Sequence, residues 1–401
     1  MATTAIAFAA GLAMPAAAKK KDPSKAPKVV SSGAKMKLRL YGQIARSATI
    51  VDDGSGTGFN NSENGSTSTR MGMRANGKIN KDLQLRLRYE WNMRSNHENN
   101  QRDNGASDSD FDIRHADIQF HHKRFGKLYF GRGDGGGNSS SQQDLSGTGV
   151  AGLGGAEHWD FQNARFIETS SSANGGDRAT TRVGRVFTNM DATSRTNRIR
   201  YDTPSIYGFQ FRASVIEQDG YEFALWYRGK VAGMRIRGAV NYSHGKQAIF
   251  PGNVEAGVVG TDTEISVVNG SVSVRTPWGI GFSGAAGTND RDMITGGTAV
   301  AMDGKDPFFW SASAFYRAKF FELGETRFKY GFQTTVDNQL EGDIGQAHGF
   351  SIVQVINNTG TDVYAGYRHV SLDRDQAGGT NGAEIDFEDQ DLWVLGFRAR
   401  F

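Results

Sequence analysis

From Lys37 to Phe401 apolar and polar residues alternate with period two in one stretch after another, and this habit restricts the fold more than any other feature. Successive side chains of a strand point to opposite faces, so each stretch reads as a strand with one apolar and one polar side. The clearest is Leu83 to Trp91, with Leu83, Leu85, Leu87, Tyr89 and Trp91 on one side and Arg86, Arg88 and Glu90 on the other. Leu38, Leu40 and Ile44 mark an earlier strand, and Met71, Met73 and Ala75 the next, over roughly Ser66 to Ile79. Two more cover about Phe111 to His122 and Phe125 to Gly133, and eleven follow between residues 193 and 401. The total is about sixteen strands, and the predicted class is all-β.

One segment breaks the rhythm. From Asp134 to Met190 the chain runs through Gly135-Gly136-Gly137-Asn138-Ser139-Ser140-Ser141 and on through small polar residues with no sustained apolar period. A loop of that length inside a regular domain points to function. Elsewhere the connections alternate in length, although the one near Asp219-Gly220 is brief. Turns such as Asn80-Lys81-Asp82, Pro277-Trp278-Gly279 and Asn358-Thr359-Gly360 are short, whereas 245–262, 291–307 and 372–388 are long and polar. Short turns at one rim and long loops at the other are the mark of an outer-membrane barrel of antiparallel strands, and a soluble sandwich has no reason to sort them.

Composition agrees. Only 37% of the 401 residues are hydrophobic and the mean hydropathy is −0.51. That is meagre for a large soluble core, but it suits a transmembrane barrel, in which only alternate strand residues meet lipid. No apolar run approaches the ~20 residues of a membrane-spanning helix. Met1 to Ala18, ending Ala16-Ala17-Ala18, reads as a secretory signal peptide that lacks a basic start, as though its true beginning lies upstream. Residues 19–36, opening Lys19-Lys20-Lys21, read as a basic flexible periplasmic extension, and 37–401 as the barrel. A net charge of +3 without a concentrated basic face argues against nucleic acid. Aromatics such as Phe209, Phe211, Phe308 and Trp310 gather toward strand ends, as interfacial girdles would. At the C-terminus Trp393, Leu395, Phe397, Ala399 and Phe401 form one apolar stripe with Arg398 and Arg400 pointing the other way, which reads as an assembly signal carried by Trp393, Phe397 and Phe401.

Four stretches carry a family resemblance. They are Leu40-Tyr41-Gly42-Gln43, Thr69-Arg70-Met71-Gly72-Met73-Arg74, Arg114 through Phe125-Gly126-Lys127-Leu128-Tyr129-Phe130-Gly131-Arg132, and Asn197 to Pro204 with Tyr207-Gly208-Phe209. With the terminal Phe401 the chain resembles the trimeric, 16-stranded general porins of Gram-negative outer membranes. The resemblance implies a homotrimer, seated among outer-membrane lipid and lipopolysaccharide, that passes small hydrophilic solutes and ions. It also implies that the loop after the fifth strand, here 134–190, folds inward and narrows the pore. Basic residues on the wall would then face acidic ones on the loop.

Arg70 and Arg114 match the wall cluster, with Arg198 and Arg200 the nearest candidates on the sixth strand; alternation turns Arg70, Arg74, Arg198 and Arg200 inward. Arg114 shares parity with Ala116, Ile118 and Phe120, so a bulge must re-aim its strand if it faces the lumen. On the loop, Asp144, Glu157 and Asp160 are the acidic candidates, chosen by charge because the family's compact acidic motif is not matched. Further basics, among them Arg86, Arg88, Arg235, Arg237, Arg327, Lys329 and Arg368, must look inward, since an arginine at the bilayer midplane costs roughly 2–4 kcal/mol.

The reading is a channel for passive diffusion of small solutes and ions, with a substrate-preferring anion channel using an arginine ladder for phosphate or dicarboxylates as the alternative. No enzyme chemistry, metal or cofactor is expected. Arg132-Gly133-Asp134 and the glycines after it lack the Gly-Lys-Ser/Thr of a phosphate loop, and His121 and His122, as neighbours in a strand, point apart.

Overall fold

The computed structural model describes residues 29–30, 35–96, 110–152, 161, 163–169, 178–246, 249–250, 264–290, 293–295, 298–300, 306–338, 342–374 and 386–401. Five strands precede the long loop: β1 (Lys37–Asp52), β2 (Arg70–Lys78), β3 (Leu83–Arg94), β4 (Asp110–His122) and β5 (Gly126–Asp134). After it come β6 (Arg195–Asp202), β7 (Phe209–Ile216), β8 (Gly220–Val231), β9 (Met234–Lys246), β10 (Glu264–Arg275) and β11 (Ile280–Asn289). The last are β12 (Phe308–Phe321), β13 (Gly324–Val336), β14 (Asp343–Ile356), β15 (Thr361–Arg374) and β16 (Gln390–Arg400).

Each strand pairs antiparallel with the next, and β16 returns to β1 with Arg400 opposite Gln43 and Asp391 opposite Asp52. The sheet is therefore a closed 16-stranded barrel. Two short pieces bring the sheet to eighteen strands: Val29–Val30 beside Lys37 and Leu38, and Thr57–Glu63.

The two faces of the wall differ as alternation demands. On β10, Val268 and Val272 are exposed on the outside, while Asn269, Ser271 and Ser273 turn in. Val215, Val240, Phe282 and Leu395 repeat the outward pattern, giving an apolar band suited to hydrocarbon and far too large for water. Exposed aromatics ring both ends of this band, with Phe209, Phe211, Phe320 and Phe397 near the short turns and Phe111, Phe223, Phe308 and Trp310 near the long loops.

Three local features depart from simple alternation. The strand expected over Ser66 to Ile79 forms as Arg70–Lys78 and pairs with the lower half of β1, but an extra piece not expected from the sequence, Thr57–Glu63, pairs with its upper half. Asn60 and Asn61, whose type favours turns, sit inside that upper piece because cross-strand pairing overrides propensity. Between the pieces Asn64 turns in and donates to Tyr364 Oη at 2.6 Å and to the Val150 carbonyl at 2.7 Å. In β4 the register slips at Glu90: Glu90 faces His115 but Trp91 faces Ile113, leaving Arg114 as the extra residue of a β-bulge. Phe111 and Ile113 stay outside on one side of the bulge, Ile118 and Phe120 on the other, and Arg114 is turned into the lumen.

The third departure concerns the lumen itself. Along β14 to β16 many inward side chains are apolar, with Ala347, Val353, Tyr364, Val370, Leu372, Leu392 and Val394 all buried beside polar ones such as Ser351, Arg368 and Gln390. Against them pack Val150, Ala151, Phe161, Phe166, Val183 and Val186 of the long loop. That loop is not structureless either. It holds single turns at Ser140–Gln142 and Gly149–Ala151, a strand pair Arg165–Ile167 with Arg178–Arg182, and a helical turn Val183–Val186.

Candidate functional site: the lumen and its inner loop

The loop leaves β5 at Asp134 and at once lies against the inner wall. A Cβ on Gly135 would fall 2.0 Å from Glu222 Oε2 and one on Gly137 2.0 Å from Asn241 Oδ1, so only glycine lets the backbone come this close. The Gly136 amide donates to Ser214 Oγ at 2.7 Å, the Gly137 amide to Glu222 Oε2 at 3.1 Å, and Trp226 Nε1 donates back to the Gly136 carbonyl at 3.0 Å. Serines of β10 continue the track. Ser271 Oγ donates to the Ser140 carbonyl at 2.5 Å and accepts from the Gln143 amide at 2.8 Å, and Ser273 Oγ accepts from the Leu145 amide at 3.0 Å. Arg317 and Arg327 then cap the Leu145 and Gly147 carbonyls at 2.8 and 3.0 Å.

The return leg runs along the same wall. Arg374 Nη1 donates to Thr181 Oγ1 at 3.1 Å, Gln333 to the Thr188 carbonyl at 2.8 Å and Asn269 to the Met190 carbonyl at 2.5 Å. Asp191 closes the loop on itself: both carboxylate oxygens accept from the Ser139 amide at 2.9 Å, and Gln142 Nε2 adds a bond of 3.2 Å. Burial pushes this carboxyl up to about 7, against the Ser139 and Ala192 amides, which favour its charge.

The loop thus covers the wall from β7 round to β16 and reaches Val51 of β1 and the arginines of β6 at its root, leaving the wall of β2 to β5 and the lower part of β1 facing open lumen. Two adjoining cavities lie there, one lined by Arg74, Arg86, Arg88 and Arg200 together with the carboxylates of Asp117 and Asp134, the other among Arg39, Tyr41, Arg74, Gln84 and Arg86. Glu90 is the hub of this wall. It is almost fully buried and accepts from Arg88 Nη2 at 2.9 Å, Arg114 Nε at 3.0 Å and Tyr41 Oη at 2.6 Å. Arg70 is a further charged neighbour of Glu90, and Arg74 lies over the Tyr41 ring at 4.5 Å.

The sequence-predicted residues fall into two groups. Arg70, Arg74 and Arg114 stand together on the open wall, gathered by Glu90 and Tyr41. Arg198 and Arg200 do not present free charge to the lumen. Arg198 donates to Asp117 Oδ2 at 2.8 Å and to the Gly131 and Asp134 carbonyls at 2.7 and 2.9 Å. Arg200 pairs both ways with Asp202 at 2.7 and 3.0 Å and caps the Gly135 carbonyl at 2.9 Å. They clamp the loop root.

Asp144 lies half the barrel away, where it accepts from Ser283 Oγ at 3.3 Å and sits 3.5 Å from Lys329 Nζ. Glu157 and Asp160 lie outside the described residues. Sequence reasoning missed Glu90 as the organiser; an inward acid on the strand between two arginine-bearing strands was its signal. Phe401 seats at Gly42, exchanging backbone hydrogen bonds of 3.1 Å, and its ring occupies the space a Cβ there would need. Among the described residues no cluster of histidine and acidic groups could hold a metal.

A closed barrel with an apolar outside, a charged water-accessible inside and a loop packed on its inner wall defines an outer-membrane channel. Comparison with known proteins gives the family. Residues 2–376 match the Gram-negative porin family, and the chain belongs to it. It is an outer-membrane porin, a water-filled channel for passive diffusion of small hydrophilic solutes and ions. No curated protein matches it. Among solved structures, an anion-selective porin from Comamonas acidovorans aligns at 16% identity with a TM-score of 0.58, over 92% of this chain and all of the other. The trimer form of OmpT from Vibrio cholerae aligns at 13% and 0.55, over 91% and 99%. OmpF of Salmonella typhi, in complex with daunomycin, aligns at 14% and 0.52, over 91% and 98%. At these identities the likeness shows the fold alone.

Proposed function

We propose that the loop between β5 and β6 forms the constriction of this porin, that the eyelet lies between the loop and the wall of Arg70, Arg74, Arg88 and Arg114, and that the channel favours anions. The observation that carries the reading is an imbalance of charge. The wall arginines Arg88 and Arg114 share one buried carboxylate, Glu90, whereas the loop carboxylates Asp144 and Asp191 are engaged elsewhere, Asp144 beside Lys329 and Asp191 on the loop's own amides. Lumenal arginine therefore outweighs lumenal acid along the open path, and rings of charge bias ion selectivity. This is the ground for the anion-channel alternative, and the Comamonas acidovorans porin, itself described as anion-selective, is a relative in fold. The assembly is a homotrimer, as in the OmpT trimer form, with lipopolysaccharide around its outer rim.

Planar-bilayer recording under a potassium chloride gradient tests the reading. The expected result is ohmic conductance with a reversal potential on the anion side, moved toward cations by Arg70→Glu. A reversal potential on the cation side in the unmodified channel would overturn the anion preference. An unmoved potential in Arg70→Glu would remove Arg70 from the eyelet.

A further inference from the structure

Near the short-turn rim, three neighbouring strands carry five lumen-facing cations: Arg228 and Lys230 on β8, Arg235 and Arg237 on β9, and Arg275 on β10. Their order in the sheet is unusual. Arg228 stands directly opposite Arg237, Lys230 opposite Arg235, and Arg235 opposite Arg275. Like charges directly opposite one another in a sheet repel and destabilise it.

Elsewhere in this lumen the same problem is relieved. Arg317 faces Arg327, and Glu325 sits between them, 2.5 Å from Arg317 Nη2 and 2.9 Å from Arg327 Nε. Arg398 and Arg400 share Asp362. Arg74, opposite Arg39, lies over the Tyr41 ring. Among the described residues no carboxylate pairs with any of the five cations on β8 to β10, and none of the five has a side-chain hydrogen bond. The acid that acts most on Arg237, Asp144, already sits beside Lys329. The patch also has a roof, because Ser273, the cross-strand neighbour of Arg237, holds the Leu145 amide of the loop.

We propose that this shelf under the loop is a binding site for a small polyvalent oxyanion, of the polyphosphate or polycarboxylate class, that enters from the short-turn side of the barrel. The outer strands of the shelf stand about 10 Å apart, so a chloride or a single phosphate bridges two of the cations, while a chain of oxyanion groups spans them all. Arginine's planar fork suits such groups, each guanidinium giving two parallel hydrogen bonds to one phosphate or carboxylate. The site lies on the far wall from the Arg70 cluster and below the loop, so occupancy there holds the anion at the channel mouth rather than in the eyelet. The inference rests on the lumen being open to water.

Inorganic tripolyphosphate is the probe. Calorimetric titration of the purified, detergent-solubilised protein is expected to show binding, weakened about tenfold per arginine removed in Arg235→Ser and in Arg235→Ser/Arg275→Ser. Lys123→Ser/Arg124→Ser removes as much charge from the same rim, at the turn between β4 and β5, and is expected to leave the affinity within about twofold, since exposed charges more than a Debye length away are screened. Equal weakening in both double variants would show a diffuse field and overturn the site, as would the absence of binding to the wild type. Arg275→Gln is the milder replacement should the double variant fail to assemble, and it is expected to weaken binding as one arginine does. Conductance measured in parallel separates the two readings: an open, ohmic channel that binds no tripolyphosphate overturns the site alone, and a closed one overturns the channel.

Discussion

Arg70 and Arg198 have the same side chain, lie two strands either side of β4 and face the same lumen, yet their surroundings give them different work. Arg198 is enclosed, with its guanidinium spread over Asp117 and two carbonyls at the loop root. Arg198→Ala leaves buried Asp117 without its charge partner, holding only the Gln119 side-chain amide at 2.9 Å, and is expected to cost about 3 kcal/mol, read as a lower temperature for loss of the compact, heat-modifiable form on gels. Arg70 has no such role in packing. A monovalent ion passing about 8 Å from it in water-like surroundings feels roughly 0.5 kcal/mol per unit charge; Arg70→Glu changes two charges and acts oppositely on anion and cation, so it is expected to move the anion-over-cation permeability ratio by about 2 kcal/mol, roughly thirtyfold, while leaving stability little changed. Asp191 makes a pH test. Its folded-state pKa, raised to about 7, lies above the ordinary carboxylate value, so the stability it lends the docked loop is complete below about pH 4 and is lost as pH rises through 7. Current noise and proteolytic cutting of the loop are expected to grow over that window, and Asp191→Asn is expected to flatten the dependence.

At the level of single elements, parity was readable and register was not. Period two is a local property, so Leu83 to Trp91 declared its two faces without reference to any neighbour. The bulge at Arg114 exists only because β4 meets β3 with one residue to spare, and composition holds no trace of that meeting beyond the contradictory parity of Arg114 itself. Deleting Arg114 is expected to throw Phe111 to Ile113 onto the wrong face and abolish assembly, whereas Arg114→Ala keeps the extra residue and is expected to assemble; outer-membrane yield distinguishes them. The inner faces of β14 to β16 were hidden for a different reason: Leu392 and Val394 turn inward while Trp393 and Leu395 turn outward, and a strand apolar on both sides shows no period. That apolar seam is what Phe166, Val183 and Val186 cover, so the loop's own fold was equally illegible from a segment that reads as small and polar. On the opposite side the loop is held by hydroxyls. Ser271→Ala with Ser273→Ala removes the three hydrogen bonds to the loop, roughly 1 kcal/mol each, and one from Ser283 on the wall, and is expected to increase brief closures in single-channel records without loss of the barrel.

For the whole molecule, the seating of Phe401 at Gly42 joins the last residue to the first strand, and removing Phe401 is expected to slow assembly into the outer membrane, seen as a smaller heat-modifiable fraction. The closing seam itself has a consequence for biogenesis. Gln43 meets Arg400, and Asp52 meets Asp391, so the earliest strand to leave a ribosome has half its backbone groups waiting for the latest. No shorter version of the chain can satisfy them: a piece lacking β16 presents two raw margins, each a template for sticking to its own kind. A polypeptide arranged this way has no safe halfway state in water. Its margins are satisfied only when the last strand meets the first and the ring is closed.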